Sequence, residues 1–289
     1  MPALIPPEPH IPSRYRRPSV PPVWAQAVTT DDGARIAAFV YAPDGQDAPA
    51  ALAAQLPVLF LHGNGEEHGI FGPSIDAVLA SGRAAIALDS RAQGVSTRGS
   101  ARLSYELMAQ DAWDVLAALQ VERAHVVGFS DGAIEALIMA RDQPGRVASL
   151  LSIGANLTPE GVVDDGWDLA GAVAVHEAWA QGWETAGGAV DPALLTPAPQ
   201  EAARTAELLQ LMLDEPHIPA ESLSAISCPT CVMVGEHDCI APEQTAQIAQ
   251  AIPGARLVVV PEQGHVLPKH APAEVSCQLL VNILRAERA

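Results

Sequence analysis

Short apolar runs alternate with amphipathic stretches through most of the chain, a pattern that predicts parallel strands covered by helices. Residues 25–41 read as two strands turning at Asp31-Asp32-Gly33, and Pro57-Val58-Leu59-Phe60-Leu61 as a buried strand ending at His62-Gly63. A helix over 74–80, a strand over 84–88 ending at Asp89, and an amphipathic helix over 103–119 follow. The next strand, Ala124-His125-Val126-Val127, leads into a helical run beginning at Ala133, and 147–153 is a further strand. The rhythm then breaks. Residues 157–226 are rich in Gly, Pro, Ala and acids, with helical patches over 170–183 and 201–213. It resumes with strands over 230–234 and 256–260 and helices over 242–251 and 272–286. The simplest organisation is one α/β core, 23–156 and 227–289, interrupted by a cap at 157–226. Such a cap would lie over the carboxyl edge of the sheet, where open α/β sheets place their ligands.

Between the 124–127 strand and the helix after it stand Gly128-Phe129-Ser130-Asp131-Gly132. A serine on so tight a strand-to-helix turn has unfavourable backbone angles, and glycine on both flanks removes the side chains that would collide. The hydroxyl is then presented clear of the sheet. A serine becomes a nucleophile only when a base takes its proton and the base is itself oriented. His265 follows Gly264 directly after the last strand, and Asp238 sits on the loop Gly235-Glu236-His237-Asp238 after the strand before it. Glu236 is the alternative acid, closer to its strand end. The order Ser130, Asp238, His265 is the one expected for this elbow. An oxyanion hole needs two N–H donors: the residue after the nucleophile, Asp131, and the loop His62-Gly63-Asn64-Gly65. Asn64 is the preferred second donor, with Gly63 and Gly65 as alternatives.

Together these elements resemble the α/β-hydrolase fold superfamily over about residues 23–284. The resemblance implies a mostly parallel eight-stranded sheet flanked by helices, with the cap inserted after strand 6. Asp89-Ser90-Arg91-Ala92-Gln93-Gly94-Val95-Ser96 also looks like the turn after that superfamily's fourth strand, with Asp89 and Arg91 expected to pin it. A serine nucleophile argues against the dehalogenase and epoxide hydrolase branches, which use aspartate. The elbow with Asp131, and Ile153-Gly154-Ala155-Asn156 further on, are similar to a branch that includes valacyclovir hydrolase. In that branch a carboxylate beside the nucleophile is associated with holding a substrate ammonium. Asp131 either does this here or makes only local bonds at the helix start, the latter being the favoured reading. Asp131, Phe129 and Trp167 are the candidates for substrate contact. His62, His125 and His237 read as structural, whereas His176 and His217 read as polar residues of the surface in preference to pocket lining. Trp179 and Trp183 belong to the cap, where packing on the core outweighs covering the site.

Composition narrows the partners. The net charge of −18 excludes a general attraction to nucleic acid or an anionic membrane surface. Residues 157–226 hold twelve acids and one base, Arg204, so the cap disfavours anionic substrates and favours neutral or cationic ones. Glu66 and Glu67 either complement a helix start or colour the pocket mouth. Cys228 and Cys231 are three apart on an extended segment and point to opposite faces, so they read as small buried residues. No metal and no cofactor is expected. Residues 1–22 contain eight prolines and no apolar run longer than Ala3-Leu4-Ile5, which reads as an extended arm in a cytoplasmic protein, monomer or homodimer. The expected function is a serine hydrolase acting on a small carboxylic ester. Amide, thioester, lactone or carbon–carbon cleavage would use the same machinery, and a slow or inert ligand receptor is the rival class.

Overall fold

In the computed structural model the apolar runs form one eight-stranded sheet, in the order β1-β2-β4-β3-β5-β6-β7-β8. The strands are β1 (Trp24–Thr29), β2 (Arg35–Tyr41), β3 (Val58–Leu61), β4 (Ala85–Leu88), β5 (Ala124–Phe129), β6 (Val147–Ile153), β7 (Thr230–Gly235) and β8 (Arg256–Val260). β2 pairs antiparallel with both β1 and β4, and every other pairing is parallel. The helices are α1 (Ala48–Ala54), α2 (Gly72–Ala80), α3 (Tyr105–Ala118), α4 (Asp131–Asp142), α5 (Leu169–Thr185), α6 (Pro199–Asp214), α7 (Pro242–Ala251), α8 (Leu267–His270) and α9 (Pro272–Glu287). The structure describes residues 6–7, 14–163, 167–185 and 197–288, and of 183–185 the backbone only. The side chain of Trp183 and most of the proline-rich arm therefore lie outside the described residues.

Period-two alternation divides the core. Leu59 and Leu61 of β3 join the apolar layer formed with α3, α4 and α7, while Val58 and Phe60 join the layer formed with α2 and α9. Residues buried on both sheet faces are what a central parallel strand requires. Cys228 and Cys231 fall in different layers, so their thiols cannot meet on one metal. Parallel pairing aligns the strand ends: Leu61 is beside Gly128, Phe129 beside Ile153, and Gly235 beside Val260. The loops after β3, β5, β7 and β8 thus emerge along one edge. The chain order reverses between β3 and β5, which makes their loops the switch-point crevice of this sheet.

Behind that edge, the β4–α3 turn is anchored from below. Fully buried Arg91 grips Asp111 through two hydrogen bonds of 2.8 and 2.6 Å and Asp32 through a third of 2.6 Å. Asp89 accepts the His68 backbone N–H at 3.0 Å and the Val95 N–H at 2.9 Å. Both residues pin the turn and neither lines the cavity described below. Residues 14–22 lie on the body of their own chain: Tyr15 and Arg17 reach Glu67, and Ser19 and Arg16 reach Asp76. In the 157–226 segment α5 packs on α6, and Trp179 is buried with its indole N–H donating to the Pro197 carbonyl.

Candidate active site

Ser130 is the single residue between β5 and α4, at φ 54° and ψ −120°, angles an L-residue adopts only when its surroundings impose them. They are imposed from both sides. The Ser130 N–H donates to the Ile153 carbonyl at 2.8 Å and the Gly132 N–H to the His62 carbonyl at 3.1 Å. A Cβ on Gly128 would lie 2.0 Å from the Gly132 carbonyl oxygen, and one on Gly132 would lie 2.2 Å from that of Leu61. Only glycine fits at either place.

The structure brings Ser130, His265 and Asp238 together. His265 Nε2 lies 3.0 Å from Ser130 Oγ, and His265 Nδ1 lies 2.7 Å from Asp238 Oδ1. The Ile240 N–H also donates to Asp238 Oδ1 at 3.0 Å, so the carboxylate is fixed by its own loop. With Nδ1–H donating to Asp238, Nε2 carries the lone pair that faces the hydroxyl. Burial of the ring opposes its protonation. The hydrogen bond and charge of Asp238, with a smaller part from Cys239, outweigh that, and the imidazole holds a proton more tightly than usual. Asp238 is correspondingly held below the usual carboxylate range, its burial being offset by His265. Glu236 is exposed and accepts the Glu262 N–H at 2.9 Å. His265 packs against Phe129, with ring centroids 5.0 Å apart. His62 is a structural histidine, donating from Nδ1 to the Gly63 carbonyl at 2.8 Å and accepting the Ser90 N–H at Nε2 at 2.9 Å. His125 bonds Ser149 within the sheet. Neither His176 nor His217 lines the cavity: His217 is at the surface, whereas His176 is buried rather than exposed, its Nδ1 2.8 Å from the Ala172 carbonyl one turn before it on α5.

The loop after β3 faces the elbow. Its Gly65 N–H donates to Gln93 Oε1 at 2.7 Å, which removes Gly65 as an oxyanion donor. The Asn64 side-chain amide donates to Asp131 Oδ2 at 2.9 Å and to the Leu208 carbonyl of α6 at 3.1 Å. One side chain therefore ties this loop to the residue after the serine and to the segment above it. Nothing in the sequence singles out Gln93 or Tyr105 as a neighbour of the site. Gln93 lay in the recognised turn, one residue before Gly94, and carried no signal of its own.

Asp131 lies at the cavity floor, 3 % exposed. Its second oxygen accepts the Tyr105 hydroxyl at 3.0 Å. Burial drives its pKa up to about 6, against the opposing pull of the Asn64 and Tyr105 hydrogen bonds. One turn on, Glu135 is fully buried, and burial together with the neighbouring carboxylates pushes its pKa well above the usual range. The raised pKa of Asp131 has a measurable consequence. A carboxyl shifted upward by folding favours the fold while protonated, and that contribution is lost as pH rises through about 6. Asp131→Asn, which resembles the protonated form, should gain on wild type by about 2 kcal/mol between pH 4 and pH 7. Urea unfolding midpoints of the two proteins across that range measure it; a gap independent of pH refutes the shift.

Above the site is a cavity of about 820 Å³. Ser130, Asp131, Phe129, Trp167 and His265 line it, together with Met212 of α6. Glu66, Asp168 and Glu215 line it too, and among the described residues no lysine or arginine does.

Residues 57–184 match the family model described as the alpha/beta hydrolase fold. A putative carbamate hydrolase RutD of Variovorax paradoxus is 29 % identical over 232 residues, covering 72 % of this chain and 84 % of that protein. The serine hydrolase BPHL of Mus musculus is 28 % identical over 207 residues, 68 % of each chain. Among solved structures, an esterase from Exiguobacterium antarcticum superposes with a TM-score of 0.69 at 20 % identity, covering 90 % of this chain and 99 % of its own. That last likeness is one of fold. Sheet order, family match and relatives agree on the α/β-hydrolase fold, and the proteins this chain resembles are hydrolases.

Proposed function

We propose that the chain is a serine hydrolase cleaving small, neutral or cationic carboxylic esters through an acyl-enzyme on Ser130. The observation that carries this reading is the continuous line Ser130 Oγ, His265 Nε2 at 3.0 Å, and His265 Nδ1 to Asp238 at 2.7 Å. Ser130 attacks the ester carbonyl while His265 takes its proton at Nε2, and Asp238 steadies the imidazolium. The oxyanion is received by the backbone N–H groups of Asp131 and Asn64, each worth about 2.7–4 kcal/mol of barrier. The imidazolium returns its proton to the departing alcohol oxygen. A water deprotonated at the same nitrogen then attacks the acyl carbon and releases the acid.

The substrate's charge follows from the lining. Four carboxyl groups border the cavity and among the described residues no lysine or arginine does, a field that repels anions. Asp131 supports a further step: both its hydrogen-bond donors, Asn64 and Tyr105, are neutral, so its ionised form has room for an ammonium. Two measurements test the proposal. A fluorophosphonate probe should label wild type and not Ser130→Ala; equal labelling overturns the site assignment. Free α-amino esters should outpace their N-acylated counterparts, and Asp131→Asn should erase that preference. A labelled protein that turns over no ester in a broad panel would instead be a receptor.

A further inference from the structure

One reactive group bordering the cavity has no part in the acyl-transfer scheme. Cys239 follows Asp238 in the β7–α7 loop, is half-buried, and lines the cavity beside His265. The ligand atoms of Asp238, Cys239 and His265 all lie within 4.8 Å of one another. A thiolate, an imidazole and a carboxylate form a donor set suited to zinc, at about 2.3 Å for sulfur, 2.0–2.1 Å for nitrogen and 2.0–2.2 Å for oxygen. Around a tetrahedral ion such donors stand about 3.4–3.8 Å apart, so small side-chain rotations close the gap. Three protein ligands leave a fourth position open to solvent or another ligand.

The geometry points to a thiophilic divalent-metal site on Asp238, Cys239 and His265 that switches the hydrolase off. The inhibitory step rests on the proposed triad, whereas binding of the ion does not. In the resting arrangement Nδ1 of His265 carries the proton and Nε2 the lone pair. A metal ion reaching the Cys239–Asp238 side bonds to Nδ1 and takes the place of the proton that Asp238 had accepted. That proton relocates to Nε2, and the ring stays neutral. Nε2–H is then a donor, and the Ser130 hydroxyl has lost its acceptor. The thiol proton leaves to solvent, so one proton is released for each ion bound and affinity strengthens as pH rises. Two other groupings of potential ligands carry less. Glu236, His237 and Glu262 are exposed and offer no thiolate. Glu67, His68 and Asp89 are taken up by Tyr15, Arg17 and each other.

Cobalt(II) reads the site independently of catalysis, because a cobalt–thiolate bond gives a near-ultraviolet charge-transfer band. Titrating the full chain should produce that band at one equivalent in wild type and in Ser130→Ala. It should be absent in Cys239→Ala and in Cys239→Ser, the latter keeping the side chain's shape in case the alanine variant folds poorly. Zinc should block fluorophosphonate labelling of wild type, a chelator should restore it, and the half-blocking concentration should rise at least tenfold in either Cys239 variant. No band, or a band that survives in both variants, overturns the metal site. A band accompanied by labelling that zinc leaves unchanged overturns the switch. If wild type fails to label even without metal, it is the triad reading that falls.

Discussion

His265→Ala should lower kcat for a small ester by about 10⁴–10⁶-fold, with KM changed only a few-fold. The loss is this large because, among the described residues, the Ser130 hydroxyl has His265 Nε2 at 3.0 Å as its one acceptor, and without it the attacking oxygen stays protonated. Adding Ser130→Ala should lower the rate little further, since the two residues act as one unit. Asp238→Asn should cost about 10⁴-fold by permitting the wrong tautomer, while Glu236→Gln stays close to wild type. A drop below a hundredfold for His265→Ala, or Glu236→Gln matching Asp238→Asn, would overturn these assignments. The pH profile supplies an independent reading. Burial opposes protonation of His265 and Asp238 more than reverses this, so the ring's pKa is raised above its ordinary 6.5. The base must be unprotonated to work, so the acid limb of kcat/KM should lie above 6.5 and move down in Asp238→Asn. Stability runs the other way. A histidine whose pKa is raised by folding stabilises the fold while charged, and that contribution fades as pH rises through the folded value. The site gains activity over the range in which the fold loses this support.

Much of this was legible in the chain, for reasons that differ by residue. The elbow was readable because its tight turn leaves no room for a Cβ at 128 or 132, a local demand that sequence must meet. The loops bearing Asp238 and His265 were readable because each follows an apolar run, and parallel strands deliver their carboxyl ends to one edge. Strand limits were less exact: β5 continues through Gly128 and Phe129, since pairing with β6 carries it past the last purely apolar residue. Helix α1 has no apolar stripe to announce it, since only Ala48 and Ala51 are buried, although Asp47 caps it by accepting the Ala50 N–H at 2.9 Å.

The missed residues share a different cause. Tyr105 and Gln93 reach the site through contacts 26 and 28 residues distant in sequence, and neither residue type at its position signals where it will point. Asp131 shows the limit most clearly. Its neighbours in sequence suggested local bonds at the helix start, yet its partners are Asn64 from the loop after β3 and Tyr105 at the start of α3. The acidity of 157–226 was visible as a sum. Which acids face inward was not: Asp168 and Glu215 do, joined by Glu66 from the core.

The second large effect belongs to the backbone beneath the nucleophile. Gly128→Ala should destabilise the fold by more than about 4 kcal/mol, the range reached when a substitution collides with atoms that cannot move aside. The new Cβ meets the Gly132 carbonyl oxygen at 2.0 Å, its carbon at 2.5 Å and Ala133 Cα at 2.6 Å, all main chain. Relief requires opening the β5–α4 turn, which withdraws the Ser130 hydroxyl from His265 and the Gly132 N–H from the His62 carbonyl. Any folded fraction should therefore react with a fluorophosphonate at least a hundredfold more slowly, since misplacement by about 1 Å costs that much. Gly145→Ala is the matched control, because a Cβ there meets nothing within 4 Å. It should be neutral or stabilising by up to about 1 kcal/mol through the unfolded chain. Urea unfolding of the two variants separates crowding at the elbow from the general effect of replacing glycine. Equal stabilities would mean that the turn can relax, and that the strained angles of Ser130 are not enforced by its two glycine neighbours.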